Sequence, residues 1–320
     1  MDPGFGSRRE SPRPSWAVSN GTRRSSSPSC DLLMEKLVFV GPGRVGLSLA
    51  HALVLSEGRV SVTVVGRHPD PPEHALFRDG LAEYRFGLER PQEGTTAVLL
   101  TVPDEALAEV SVALAEWGDA PRGCAVFHCS GALGADPLAP LHARGYAVGT
   151  LHPLEAIPLA MVGADRLRGA FFALSGEPDA LFAARRLVSL LSGQAISVPT
   201  SRRPLYHAAA VMASNYVVLL LHEATRLFEQ AGVSRKEAEE ALTGLAQGAL
   251  ENVAKLGVDR ALTGPLIRGD VETIALHLRT LEPEDARLYA ELGRRGLAWV
   301  GARLPEGSVD ELTKLFDRYS

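Results

Sequence analysis

Lys36-Leu-Val-Phe-Val-Gly41-Pro-Gly43-Arg-Val-Gly46-Leu-Ser-Leu-Ala-His-Ala-Leu53 decides how the rest of the chain is read. A short apolar run rich in β-branched residues enters a G-x-G-x-x-G turn, and a helical pattern leaves it. Gly41 suits the tight turn. Gly43 lacks a Cβ and lets a pyrophosphate approach the backbone. Gly46 lets the helix pack closely on the strand. Such a turn collects free backbone N–H groups at a helix N-terminus, where a phosphate binds. The strand before it and the helix after it separate this turn from a chance cluster of glycines. Gly41, Gly43, Arg44, Val45 and Gly46 are therefore the expected phosphate-side contacts of a dinucleotide.

The chain has 320 residues, 46% of them hydrophobic and 22% charged. That balance is ordinary for a globular protein, and the length suits about two domains. A net charge of −5 speaks against a general nucleic-acid binder. Cys30, Cys124 and Cys129 show neither metal-ligand spacing nor an even disulfide set, so no metal site is expected and a reducing, cytoplasmic setting is. The most apolar stretch, Leu205 to Leu221, carries His207 and Asn215 and ends at His222-Glu223. It suggests a buried core helix and no membrane association.

Residues 1–33 are rich in Ser, Arg and Pro and lack apolar periodicity. They are expected to be a disordered leader or a non-native extension, with Met34 a natural first residue. From there β and α patterns alternate. The second strand, Val60–Val65, ends at Gly66-Arg67-His68. An acid at this place would bind a ribose 2′-hydroxyl, whereas an Arg accommodates a 2′-phosphate. No acid stands there, and Asp70 lies beyond a proline, so Arg67 favours NADP over NAD. Further strands are expected at 97–102, 124–128, 146–151, 170–174 and 195–198. Residues 34–199 thus form one doubly wound α/β domain of Rossmann type with a mostly parallel sheet. Residues 200–320 are nearly all helix. One long helix is expected from Pro204 to about Gln230, and capping boxes at Ser234–Glu237 and Ser308–Glu311 open later helices.

Ligands bind beyond the carboxyl ends of the strands in such a sheet. Val102, Pro103 and Asp104 follow one strand there and are expected under the nicotinamide. His128 and Ser130 stand at the end of the next strand, and His152 at the end of the one after. His207 and Asn215 fall at helical spacing on the helix from Pro204 and are expected to share a face. A histidine titrating near neutrality can move the proton that accompanies hydride transfer. Asn215, in an apolar helix, would need a polar partner. The turn Thr263-Gly-Pro-Leu-Ile-Arg-Gly-Asp270 sets Arg268 beside a helix N-terminus, an arrangement that suits a substrate carboxylate.

These motifs resemble dehydrogenases that join a Rossmann domain to a helical domain like that of 6-phosphogluconate dehydrogenase. The residues concerned are Gly41–Gly46, Val102-Pro103-Asp104, His128-Cys-Ser-Gly131, Leu151-His-Pro-Leu154, Tyr206-His-Ala-Ala209 through Asn215, and Thr263–Asp270. Within that superfamily the chain is most similar to a group of uncharacterised Rossmann-like oxidoreductases with a helical domain of unknown function. Relatives are pyrroline-5-carboxylate reductase, prephenate dehydrogenase and ketopantoate reductase. Ser130 and His152 resemble the Ser and catalytic His of prephenate dehydrogenases in order and spacing. The Thr263 region resembles the carboxylate-binding turn of pyrroline-5-carboxylate reductases without its double glycine. Hydroxyacid dehydrogenases carry a catalytic Lys four residues before an Asn, where this chain has Val211 before Asn215.

The resemblance implies an NADP-dependent oxidoreductase acting on a small carbonyl, imine or hydroxy acid, and a homodimer formed through the helical domain. His152, Ser130, His207 and Asn215 are then the catalytic candidates, and His128, Asn215, Thr263 and Arg268 the substrate contacts. The missing lysine favours one alternative, a dinucleotide-binding sensor without turnover; another, on the same fold, is a reductase of a deazaflavin-type carrier.

Overall fold

The computed structural model describes residues 34–319, so the expected leader, residues 1–33, lies outside the described residues. The chain divides into two compact units between Ala209 and Ala210. The expected boundary fell ten residues earlier, between 199 and 200.

The first unit is an eight-stranded sheet. Its strands are β1 (Glu35–Val40), β2 (Val60–Gly66), β3 (Glu83–Phe86), β4 (Ala97–Leu100), β5 (Ala125–His128), β6 (Ala147–Pro153), β7 (Phe171–Gly176) and β8 (Gln194–Ser197). Their spatial order is β3-β2-β1-β4-β5-β6-β7-β8. Neighbours from β3 to β6 are parallel, β6 and β7 are antiparallel, and β7 and β8 are parallel again. The order reverses at β1 and β4, so the crevice beyond those two strand ends is where a ligand belongs.

Period-two alternation sorts the strand side chains into two cores. Leu37, Phe39, Leu99 and Phe127 point to one face. That face is covered by α1 (Arg44–Val54), which precedes the short α2 (Ala75–Arg78), and by helices that follow further along. Val40, Val98, Leu100 and Val126 point to the other, against α3 (Leu107–Ala115) and the short α4 (Ala139–His142). Strands β4 and β5 are buried on both faces, which explains why they read as unbroken apolar runs. Helices α5 (Ala160–Leu167) and α6 (Pro178–Leu190) complete the first layer.

Next comes α7 (Arg203–Ala213), whose first two turns belong to the first unit. It ends at Ser214, where φ −123° and ψ −72° break the helix. The long helix expected from Pro204 is therefore two helices, α7 and α8 (Asn215–Gln230). The second unit continues with α9 (Arg235–Leu256), α10 (Val258–Ala261), α11 (Pro265–Arg268), α12 (Val271–Thr280), α13 (Pro283–Val300) and α14 (Ser308–Asp317). Its core gathers Ile274, Leu278, Ala290, Leu297, Leu312 and Phe316 from α12 to α14. The Ser234 hydroxyl caps α9 through the Glu237 N–H, as its capping box predicts. At α14 the cap is Gly307 with φ +82°, one residue before the expected Ser308.

The apolar stretch expected to be a buried core helix is largely exposed in the second unit. Val218 is 66% and Leu219 56% exposed, and Leu245 on α9 is 72% exposed. By length and composition only, the helical run Thr200–Gln230, of mean hydropathy 1.4, is long and apolar enough to cross a membrane.

Candidate functional site

The glycine turn is locked by a residue outside the G-x-G-x-x-G pattern. Gly41 follows β1 with φ +106°, a conformation that favours glycine. Thr101, one residue past β4, donates its hydroxyl to the Gly41 carbonyl at 2.7 Å. A Cβ on Gly46 would stand 2.4 Å from Thr101 Oγ1 and 2.5 Å from the Gly41 oxygen. Gly46 is thus required by packing within the protein. Gly43 differs. It is the N-cap of α1, and a Cβ there would find its nearest atom at 3.8 Å. The protein leaves space above Gly43, at the end of a helix with free N–H groups, and that space suits a phosphate. Arg44 and Val45 form the first turn of α1, and Arg44 reaches the Pro158 carbonyl at 3.4 Å.

Arg67 follows β2 directly, is exposed, and has no hydrogen bond or ion pair among the described residues. The Tyr84 hydroxyl from β3 holds this loop through the His68 carbonyl at 2.6 Å. An unpaired guanidinium at this strand end fits a 2′-phosphate.

Beyond β4 the chain turns through Val102 and Pro103 to Asp104. Ser130 donates its hydroxyl to Asp104 Oδ2 at 2.7 Å and accepts from the Leu133 N–H at 3.1 Å. Ser130 therefore ties the turn after β4 to the loop after β5. His128 is wholly buried. Its Nδ1 accepts from the Ser130 N–H at 3.2 Å, and its Nε2 donates to the Gly134 carbonyl at 2.6 Å. Both ring nitrogens are used by the backbone, and burial lowers its pKa. His128 shapes the 128–134 loop, and its expected role as a substrate contact is corrected on that ground.

His152, near the end of β6, stands in a cluster with two residues of α7. Its Nδ1 and the Tyr206 hydroxyl share a 2.9 Å hydrogen bond. The His152 and His207 rings meet edge to face, with centroids 5.7 Å apart. Gly131 permits this pairing. A Cβ there would lie 2.2 Å from His207 Nδ1 and 2.9 Å from His152 Nε2. His207 Nδ1 is buried without a partner among the described residues. Burial first, then the charge of Arg203 and the neighbouring His207 and His128, push the His152 pKa down to about 4. The histidine expected to titrate near neutrality is a neutral imidazole at pH 7.

Arg203 and Tyr206 were not singled out from sequence. Arg203 is fully buried beside Arg202, which is exposed, and nothing in Ser201-Arg202-Arg203-Pro204 tells the two apart. Tyr206 lies inside the Tyr206-His-Ala-Ala209 motif, and its place beside His207 in that motif was the signal that could have found it.

The remaining candidates belong to the second unit. Asn215 is the first residue of α8 and is exposed. The break at Ser214 removes the helical phase that linked it to His207, and exposure removes the desolvation argument for a partner. Thr263 is exposed as well. Arg268 is 63% exposed and pairs with Asp270 at 3.8 Å, and Asp270 itself caps α12 through the Thr273 N–H and hydroxyl. The helix N-terminus expected to be free for a carboxylate is occupied by its own cap. Among the described residues no group of three or more His, Cys, Asp or Glu is placed to hold a metal ion.

Two family models match the chain, and their boundary falls between β6 and β7, within the sheet of the first unit. Residues 27–153 match the model of a Rossmann-like domain, and residues 170–296 match that of a domain of unknown function, DUF2520. No curated protein matches the chain. Among solved structures, a Thermotoga maritima protein is 21% identical, covers 88% of this chain and 98% of its own, and superposes with a TM-score of 0.62. The pyrroline carboxylate reductase of Plasmodium falciparum, solved with NADP bound, is 13% identical over 89% of this chain and 98% of its own, with a TM-score of 0.54. A reductive aminase of Aspergillus terreus, in complex with NADPH and ethyl levulinate, is 17% identical over 89% and 93%, with a TM-score of 0.55. At these identities the likeness establishes a shared fold. The N-terminal part of the chain is thus similar to Rossmann-like domains and the part from residue 170 to 296 to the DUF2520 domain.

Proposed function

We propose that the protein is an NADP-dependent oxidoreductase acting on a small carbonyl, imine or hydroxy acid. The observation that carries this reading is the convergence on one edge of the sheet. The Gly41–Gly46 and Val102–Asp104 turns follow the carboxyl ends of β1 and β4, and His152, bonded to Tyr206, is the penultimate residue of β6. The similar reductases solved with NADP or NADPH support the choice of cofactor. Gly43 and the first turn of α1 would hold the pyrophosphate, and Arg67 the 2′-phosphate. When bound, the nicotinamide supplies or takes the hydride.

The chain's own part is to orient the reacting oxygen or nitrogen and to move its proton. His152, a neutral imidazole with one ring nitrogen fixed by Tyr206, presents Nε2 to the substrate. It hydrogen-bonds the reacting atom and, in the oxidative direction, takes its proton, while in reduction the proton comes from solvent through that hydrogen bond. Ser130 acts indirectly by holding Asp104 and the turn under the cofactor. Arg268 is not assigned a carboxylate, because its charge is paired with Asp270.

The test follows NADPH oxidation at the nicotinamide absorbance against a panel of small 2-oxo acids and cyclic imines. The expected result is turnover of at least one member, a rate at least about 100-fold lower for His152→Asn, and unchanged NADPH binding by that variant. Near wild-type turnover by His152→Asn would show that another group moves the proton.

The exposed apolar side chains of α8 and α9 point to a second part of the reading, a homodimer formed through the helical unit. Val218, Leu219 and Leu245 expose the kind of surface that marks an interface.

A further inference from the structure

Arg203 is the largest fully buried side chain among the described residues, with 0% of its surface exposed. Removing a guanidinium from water costs several kcal/mol, and proteins normally set a carboxylate against it. Among the described residues none lies within 4.0 Å. Arg203 instead donates Nη2 to the Ser130 carbonyl at 2.6 Å and Nη1 to Ser175 Oγ at 3.3 Å, and its Nε has no partner among the described residues. Its guanidinium lies 5.9 Å from the centre of the Tyr206 ring.

These contacts surround one residue. Arg203, Tyr206 and His207 stand at i, i+3 and i+4 on α7 and so share a face. Tyr206 bonds His152, and His207 packs on it. Ser175 Oγ also bonds Thr150 Oγ1 at 2.8 Å, two residues before His152 on β6. Ser130 precedes Gly131, the glycine against both histidines. One uncompensated cation therefore sits behind the His152 cluster, bonded to the loop after β5 and to β7, whose Ser175 in turn bonds β6.

We propose that Arg203 is a positioning residue whose uncompensated charge adds to burial in holding His152 as a neutral imidazole, so that the histidine meets its substrate as a hydrogen-bonding group and not as a cation. This rests on the reading of His152 as the proton-handling group, and it adds what sets the state of that group. The ionisable groups around His152 are Arg203, Tyr206 and His207 from α7 and His128 from β5. The acid associated with this set, Asp104, stands on the turn after β4 and is bonded to Ser130. Among the described residues no carboxylate competes with the arginine at the imidazole itself. The pKa values of His152 and His128 are both lowered, first by burial and further by the charge of Arg203.

The test reads the imidazole directly. The histidine Cε1–H signals of the full chain are followed by NMR through a pH titration, with His152→Asn identifying the His152 signal. Removing the charge in Arg203→Met is expected to raise the His152 midpoint by about one pH unit or more, whereas Arg203→Lys keeps it within about half a unit of wild type. Ser175→Asp supplies the missing carboxylate without removing the arginine, and is expected to raise the midpoint in the same direction. It also serves if Arg203→Met does not fold. An unmoved midpoint in folded Arg203→Met, or in Ser175→Asp, overturns the proposal. So does a lysine variant that shifts as far as the methionine variant, which would make the role one of hydrogen bonding alone. NADPH binding is measured on the same samples. Loss of NADPH binding by the wild type counts against the proposed function and leaves the titration result standing.

Discussion

The Thr101 hydroxyl donates a 2.7 Å hydrogen bond to the Gly41 carbonyl, joining the residue after β4 to the residue after β1 across the point where the strand order reverses. This bond and the absent Cβ of Gly46 hold the turn shut from below. The absent Cβ of Gly43 leaves it open from above. Two glycines of one motif are thus present for different reasons, and the difference is measurable.

Gly46→Ala drives a Cβ into Thr101 Oγ1 and is expected to lower stability by about 1–3 kcal/mol in urea unfolding. The Cβ of Gly43→Ser would have its nearest neighbour at 3.8 Å, and serine is a good N-cap residue, so stability should change by less than about 1 kcal/mol. The same Gly43 variant should weaken NADPH binding by about ten-fold or more, since its side chain enters the phosphate space. A Gly43→Ser protein that binds NADPH as well as wild type would remove the phosphate from this turn.

Arg67 separates the two cofactors. Charge-assisted hydrogen bonds to a phosphate contribute about 1.5–3 kcal/mol, so Arg67→Ala should weaken NADPH binding by roughly ten-fold or more while leaving NADH affinity unchanged. Equal losses for both would place the guanidinium elsewhere on the ligand.

The neutral state of His152 makes stability depend on pH. Its pKa is about 4 in the folded protein and 6.5 in its ordinary state. Between those values the unfolded chain binds the proton and the folded chain does not, so stability falls as pH drops from 6.5 towards 4. His51 and His128, also lowered, act in the same direction. His152→Asn should flatten the fall, read as the urea midpoint at several pH values. The same fall in that variant as in wild type would assign it to the other histidines.

Leu219→Glu tests the helical unit. Leu219 is 56% exposed, so the substitution costs the folded monomer little. Sedimentation should show a dimer for wild type and a shift to monomer for the variant. A wild-type monomer at all concentrations would leave the apolar face of α8 without a self-partner.

The sheet was legible in the sequence because its signals are local. The apolar runs of β1, β2, β4 and β5 and the Gly41–Gly46 turn each announce an element without reference to any other. The histidines at strand ends followed from topology alone. What could not be read is what depends on burial. Arg203 and Arg202 are chemically identical neighbours, and only packing on Ser130 and Ser175 hides one of them. Asn215 shows the opposite error. An apolar run was taken to mean burial, but Ser214 breaks the helix and α8 leaves much of its apolar surface exposed. Period and composition report that a segment can be buried, and the neighbours that would bury it lie elsewhere in the chain.

Calorimetric titration of the purified protein with NADPH and with NADH tests the central claim most directly. The account predicts saturable binding of one NADPH per chain, at least about ten-fold tighter than NADH from the Arg67 contact alone. No measurable binding of either dinucleotide would contradict it.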